Sequence, residues 1–268
     1  MKHYPPLELD EDELWFLLSQ YGSGIIVGVQ DPYHGRQVEE IRAANETAFQ
    51  SLVQRGILQL ASENEVFLAE WILSLLGVCH HPVHSLIVQY QVAGGPLRRT
   101  FIHYGENLIV KLCETKPYHY HLRVVPDQEA LLDLFDEAIC SDTNPLSGGR
   151  EFRLTASALY KARELCIKGD LQRAEKMMTS AGLAEEQAHR LTRSLYKPVR
   201  NTSVIVIANR NTTETQHIRG FSILEGADDL WIMDPYEENG EEVITFISTN
   251  AEKVWARFLE ILPRRSDA

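Results

Sequence analysis

The 268-residue sequence lacks the short motifs that mark common catalytic and nucleotide-binding sites. It contains no G-x-S-x-G nucleophile elbow, no G-x-x-x-x-G-K-[ST] or G-x-G-x-x-G phosphate loop and no H-E-x-x-H zinc helix. Gly22-Ser23-Gly24 is too short to cradle a phosphate and is typical of a helix end. These absences favour a protein without a catalytic site, and an enzyme of unrecognised chemistry stays open as an alternative.

Long apolar runs and a cysteine pattern are also missing. The apolar runs fall far short of the ~20 residues that a membrane span requires. No apolar h-region of a signal peptide follows the acidic residues at 8–13, so we expect neither a signal peptide nor membrane insertion. Cys79, Cys113, Cys140 and Cys166 are irregularly spaced, as expected of unpaired thiols in a reducing cytosol. We therefore predict a cytoplasmic protein.

Positive charge is scarce, with 26 Lys and Arg against 38 Asp and Glu and a net charge of -12. This balance opposes an extended phosphate-binding surface. Residues 52–58 resemble the helix-to-strand connection of winged-helix domains, but the helix predicted next, at 66–76, contains no Lys or Arg. The sequence therefore predicts no nucleic-acid binding.

What the sequence does contain is one pattern that occurs twice. Four short β-rich runs separated by turns, then an amphipathic helical segment, occupy residues 85–139 and again 203–262. The matches are Ser85-Leu86 with Ser203-Val204 after 118 residues, Arg99/Phe101 with Arg219/Phe221 after 120, Asn107-Leu108 with Asp229-Leu230 after 122, and Leu131, Leu134, Phe135 and Ala138 with Trp255, Phe258, Leu259 and Leu262 after 124. Slightly longer loops in the second copy would produce this growing offset. We predict an internal duplication in which residues 36–140 and 170–262 superpose about a pseudo-twofold axis. Chance similarity between two β-meanders is the alternative.

The periodicity of apolar residues predicts an α+β fold. Helices are expected at 10–20, 36–55, 66–76, 155–168, 171–181 and 185–196. We divide the chain into a first half at 1–140, a linker at 141–150 and a second half at 151–268. Each quasi-symmetric half contains helices, a four-stranded antiparallel meander and a closing helix. Since edge strands must be paired or covered and the linker is short, we predict one shared sheet of about eight strands.

The histidines are the candidates for a metal site. Cys79, His80, His81 and His84 lie close together, and His119 and His121 share one face of a strand, opposite Leu122 and Val124. No carboxylate accompanies them at a ligand spacing, so we predict neither metal nor another cofactor. His119, His121 and Arg123 are instead interpreted as a solvated or partner-facing surface.

Two acidic segments are interpreted as turns. Asp228-Asp229 matches the turn residues Glu106-Asn107 of the first copy. The acidic run at 237–242 surrounds Asn239-Gly240, a pair typical of a hairpin tip. Neither segment is assigned a catalytic role.

Several stretches resemble a known family. Glu13-Leu14-Trp15, the run at 49–58 and the run at 66–73 are similar to the first third of EspG-type proteins. Arg219-Gly220-Phe221 and the run at 229–232, closed by the helix to Leu262, are similar to the last third. EspG-type proteins are cytosolic chaperones of ESX, or type VII, secretion. They have two quasi-symmetric α+β halves and hold the helical tip of a PE–PPE-type substrate pair.

The resemblance implies a non-enzymatic cytosolic chaperone whose partner is a helical PE/PPE- or WXG-like secretion substrate. A regulatory or structural binding module unrelated to secretion stays open as an alternative. We expect the partner surface on the outer sheet face and its neighbouring loops, since aromatic and Arg side chains often dominate interfaces. The candidate partner-binding residues are Gly94, Gly95, Tyr118, His119, Tyr120, His121 and Arg123.

Overall fold

A ten-stranded antiparallel sheet organises the chain in the computed structural model, which describes residues 4–21, 26–29, 31–62, 65–126, 132–136, 151–208 and 217–262. The strands are β1 (Leu7–Asp10), β2 (Leu58–Ser62), β3 (Glu65–Leu68), β4 (His84–Val92), β5 (Leu97–Tyr104), β6 (Ile109–Lys116), β7 (His119–Val124), β8 (Glu151–Thr155), β9 (Arg200–Ala208), β10 (His217–Glu225), β11 (Leu230–Glu238) and β12 (Glu241–Ser248). The helices are α1 (Glu11–Tyr21), α2 (Val38–Gln54), α3 (Glu70–His80), α4 (Ala156–Ile167), α5 (Leu171–Ser180), α6 (Glu185–Tyr196) and α7 (Ala251–Ile261). Residues 132–136 are also helical.

The order of the strands joins the two halves into one sheet. It runs β1-β7-β6-β5-β4-β9-β10-β11-β12-β8, so the first strand of each meander lies at the centre and pairs with the other. The predicted α+β class and the shared sheet are therefore confirmed. The predicted linker at 141–150 lies outside the described residues, and the division at that point stays a prediction. None of the described helices is long and apolar enough to cross a bilayer.

The predicted number of strands is wrong, because β1 and β8 extend the expected eight-stranded sheet to ten. Both are short edge strands with alternating burial: Leu7 and Leu9 are buried in β1, and Phe152 and Leu154 in β8. Asp10 then caps α1, since its Oδ1 accepts the Glu13 N–H at 2.8 Å and Glu13 Oε2 accepts the Asp10 N–H at 3.1 Å. Each edge of the meanders is therefore covered by a strand that lies outside the repeated pattern.

The helix predicted at 66–76 is also wrong in its first part. β3 pairs with β2 as a separate two-stranded hairpin, and α3 begins only at Glu70. Val66-Phe67-Leu68 is rich in residues that favour strands, and the hairpin supplies cross-strand pairs that a helix would not. Leu73 of α3 is 39% exposed.

The sheet is covered on both faces. On the first, here the front face, the core contains buried residues of α1–α3 in one half and of α4–α6 in the other. On the back face, α7 and residues 132–136 pack over the centre of the sheet, where Leu134 and Phe258 are both buried. Their matched burial agrees with the predicted equivalence of the two closing helices, although Leu131 and Ala138 lie outside the described residues.

The register of the sheet corrects the residue-level alignment of the two copies. Ile87 pairs with Ile205 at the centre, Ile87 pairs on its other side with Phe101, and Ile205 pairs with Gly220. Phe101 therefore takes the place of Gly220, and it packs in the front core while Phe221 packs in the back core. The match at 120 residues is wrong by one residue, since a slip of one position moves a side chain to the other face.

The alignment of Asn107-Leu108 with Asp229-Leu230, at an offset of 122 residues, has the same fault. It makes Val110 equivalent to Ile232, but Val110 is buried in the front core and Ile232 in the back core. The order of elements is compatible with a duplication, and the duplication itself stays a prediction.

Candidate functional site: a central groove

The predicted glycine and tyrosine contacts lie at one end of the first half of the sheet. Gly94 and Gly95 follow β4, and Tyr118 lies between β6 and β7 with a φ of 65°. Because β4 and β6 are both antiparallel to β5, the two turns are at the same end of the sheet. Tyr118 is 62% exposed and available to a partner.

The predicted residues of β7 divide between the two faces of the sheet. Tyr120 packs with Leu122 in the front core and is 6% exposed. Burial, with smaller contributions from Glu11 and Glu114, raises the pKa of Tyr120 to about 12. Because this ring is buried in the front core, a partner cannot reach it, so we remove Tyr120 from the candidate site.

His119, His121 and Arg123 alternate with Tyr120 and project to the back face. Arg123 forms an ion pair with Asp133, whose carboxylate also lies 3.3 Å from Lys111 Nζ. His119 and Tyr118 line a pocket of about 550 Å³ whose other residues include Asp10 and Glu11, and burial raises the pKa of both carboxyl groups. Within the described ranges, no three His, Cys, Asp or Glu side chains are arranged to hold a metal ion.

A groove crosses the centre of the front face between the two helical layers. α3 packs on β5, β6 and β7, and α6 packs on β10, so the described helices leave the middle of the front face between them. The burial of successive side chains along β9 alternates in agreement with this opening. Thr202, Val204 and Val206 are buried on the back, whereas Ser203 and Ile205 are partly exposed on the front.

Two rows of paired residues form the floor of this central groove. The first row is apolar and consists of Ile87, Ile205 and Gly220. The second row is polar and consists of Arg99, Gln89, Ser203 and Ser222. The hydroxyl oxygens of Ser203 and Ser222 are 3.2 Å apart.

Two glycines shape the ends of the apolar row. Gly28 has a φ of +95°, and a Cβ there would lie 2.2 Å from the ring of Phe101, so the segment at 26–29 lies directly on that ring. At Gly220 a Cβ would lie 2.5 Å from the carbonyl oxygen of Val204. A cavity of about 680 Å³ near Gly220 is lined by residues of both faces, among them Ile205 and, from α7 on the back face, Arg257.

The groove offers an apolar strip beside hydrogen-bonding groups, an arrangement suited to one face of an amphipathic segment. Sequence reasoning missed its polar row, because Arg99, Gln89, Ser203 and Ser222 come from four strands and two halves of the chain. The sequence did show polar residues at alternate positions within apolar strands, which is a signal for such a row. That pattern does not reveal which strands lie next to each other in the sheet.

Comparisons with known proteins identify the fold. No family model matches the sequence, and no curated protein matches it. Among solved structures, the chain is similar to the Mycobacterium tuberculosis type VII secretion system chaperone EspG5, which was solved in complex with a PE25-PPE41 dimer. The match has 9% sequence identity and a TM-score of 0.69, and it covers 97% of each chain. The remote resemblance to EspG-type proteins is thus confirmed in three dimensions: this chain has the fold of EspG5 over nearly its whole length.

Proposed function

We propose that this protein is a non-enzymatic, cytoplasmic, chaperone-like binding protein that holds a helical PE/PPE- or WXG-like secretion substrate. One observation carries the proposal. The fold matches that of a type VII secretion chaperone over 97% of both chains, and that chaperone was solved with a PE25-PPE41 dimer. The internal duplication and the division of the chain at 141–150 belong to the same proposal.

The central groove is the proposed partner site. Its apolar row can cover apolar side chains of a helix, and its polar row can bind the groups that border them. The next row toward the end of the sheet, Leu97 and Gln91, is exposed and leads to the turn at Gly94 and Gly95. Together with Tyr118, this surface supplies the aromatic and polar rim that stable interfaces of about 800 Å² per partner usually have.

One pair of described residues has the spacing of a catalytic pair. Ser85 Oγ lies 2.9 Å from His103 Nδ1, the spacing of a nucleophile and its base. Both residues are 0% exposed, however, so no substrate reaches them in the folded protein. Their contact is instead a hydrogen bond within the core.

Co-expression with the helical PE/PPE- and WXG-like pairs encoded in the same genome tests the proposal. We expect a 1:1 complex with at least one pair on size exclusion and no consumption of a small molecule. Ile205→Glu should abolish the complex, because it places a charge on the apolar row. Ile167→Glu, on a side chain of α4 that is 73% exposed, is the matched control and should leave the complex intact.

Thermal melting of both variants would establish that each one is folded before binding is compared. The proposal is wrong if no pair co-elutes while a small metabolite stabilises the protein and is turned over.

A further inference from the structure

We propose that Arg99 is the specificity-determining residue of the central groove and binds a carboxylate side chain of the partner. The partner is a helical segment that places this carboxylate beside an apolar residue seated on Ile205, which is partly exposed. The inference rests on the proposed function, since it takes the groove as the partner site.

Arg99 lies on the floor of the groove, and among the described residues it has neither an ion pair nor a hydrogen-bond acceptor for its Nε. It pairs in register with Gln89 and begins the polar row that continues to Ser203 and Ser222. Its side chain is half-buried, and its Nε is buried with no hydrogen-bond acceptor among the described residues. No carboxylate within the described ranges forms an ion pair with it.

Other arginines at similar depth are paired. Arg123, Arg190 and Arg257 have side chains that are 30%, 21% and 34% exposed, and each forms an ion pair with an Asp. Removing a guanidinium from water without a compensating acceptor is unfavourable, and such groups in folded proteins usually have a partner. The carboxylate ion pair that these arginines have and Arg99 lacks is therefore the feature that a bound partner would supply.

The neighbouring groups of the chain do not provide that acceptor. Glu114 follows the Cys113–Thr100 pair and so stands opposite Arg99 in the register, but it is exposed, forms no ion pair with Arg99 among the described contacts, and accepts the Tyr118 N–H at 3.2 Å. The pKa of Tyr120, raised to about 12, keeps its hydroxyl neutral at physiological pH. The positive charge of Arg99 is thus left facing the groove.

The chemistry of the guanidinium selects a carboxylate. Its planar N–H groups form two parallel, charge-assisted hydrogen bonds with the two carboxylate oxygens, which a neutral amide cannot match. The chain as a whole carries a net charge of -12 and repels acidic partners at a distance. A local cation in the groove is therefore what would fix the position of an acidic side chain.

The spacing of the rows predicts where that acid lies in the partner. Residues two apart on one face of a strand are separated by about 6.8 Å. A helix rises about 12 Å over eight residues, and residues at i, i+7 and i+8 share a face. Arg99 and Ile205 lie two strands and one row apart, a separation of about 12 Å at the usual strand spacing. A helix crossing the groove diagonally would therefore place an apolar side chain on Ile205 and an Asp or Glu on Arg99 if the two were seven or eight residues apart.

The experiment compares Arg99→Gln with Arg98→Gln, using whichever PE/PPE- or WXG-like pair co-elutes with the wild type. Arg98 is adjacent in β5 and exposed, and it projects to the back face, so its variant removes the same charge outside the groove. We expect Arg99→Gln to weaken the affinity at least about tenfold, the scale of an interface hot spot. Arg98→Gln should stay within about twofold of the wild type.

A charge exchange tests the pairing itself. Arg99→Glu should abolish the complex, and replacing the acidic residue of the partner by Lys should restore it in part. If the wild type binds and Arg99→Gln binds equally well, this inference is overturned and the proposed function stands. If the wild type binds none of the pairs, the proposed function is overturned and the inference with it.

Discussion

Replacing Asp229 by Ala is expected to destabilise the second half of the protein strongly. Asp229 lies between β10 and β11, and its Oδ1 accepts the Nε–H of Arg190 from α6 at 2.9 Å, with a second contact from the same guanidinium. The guanidinium also lies 5.5 Å from the centre of the Trp231 ring, whose Nε1–H donates to Ser194 Oγ at 3.2 Å. The hydrogen bond to Asp229 raises the pKa of Arg190 above its ordinary value. Asp229→Ala therefore leaves a charged group without its partner beside a buried indole.

The exposure of the two side chains sets the size of the effect. Asp229 is 8% exposed and Arg190 is 21% exposed. Breaking a fully buried pair by removing one partner costs about 3–5 kcal/mol. Because water can reach part of the Arg190 guanidinium, we expect a loss of about 2–3 kcal/mol in the free energy of unfolding. For a chain of this length, that loss corresponds to a fall of about 5–10 °C in Tm.

Urea unfolding followed by circular dichroism measures this difference, and the adjacent residue supplies the control. Asp228 lies 3.9 Å from Arg193 in a pair whose side chains are 69% and 63% exposed. Asp228→Ala should therefore change the free energy of unfolding by no more than about 0.5 kcal/mol. The double variant of Arg190→Met and Asp229→Ala should lose less than the sum of the single changes, because it removes the uncompensated charge. Equal stabilities of Asp228→Ala and Asp229→Ala would refute the assignment of a buried structural ion pair.

Three further experiments test other parts of the structure. Gly28→Ala should lower the free energy of unfolding by at least about 2 kcal/mol, because the residue has a φ of +95° and its Cβ would overlap the Phe101 ring; a thermal melt equal to that of the wild type would contradict this packing. Burial raises the pKa of Asp10 above its ordinary value of 3.8, so the folded state binds the proton more tightly and the wild type loses stability as pH rises from 3.8 through the raised folded-state pKa. Asp10→Asn keeps a capping oxygen and should gain stability relative to the wild type over that interval, whereas a constant difference across a pH series would count against the shift. Burial also raises the thiol pKa of Cys79 and Cys166, so both should be alkylated only in urea, and peptide mapping that finds them modified in the native protein would show that they are accessible.

The sequence was informative where a structural pattern is local. Apolar residues at helical spacing predicted α6 at its observed bounds and α1, α2, α4 and α5 to within about two residues. The hairpin β2–β3 was missed for a related reason. Val66, Phe67 and Leu68 fit the apolar pattern of the helix that follows, and only their pairing with β2 identifies them as a strand.

The candidate site was predictable only in part. Tyr118, Gly94 and Gly95 are turn residues, and turn residues are exposed for local reasons. Tyr120 could have been excluded from the sequence, since it shares its strand face with Leu122, the residue that marked the core side. Arg99 gave no such signal, because its lack of an ion pair depends on contacts between strands that the sequence does not show.

The sequence by itself determined the fold class, the two meanders, the absence of familiar catalytic motifs and a resemblance to EspG-type proteins. Each of these depends on residue types within a segment or on the order of segments. Only the tertiary structure decided that β4 and β9 meet at the centre and that Ile87 pairs with Ile205. Side chains alternate between faces at every residue, so an alignment wrong by one position reverses what is core and what is groove. The central groove and the unpaired Arg99 therefore follow from a register that contacts between distant segments set.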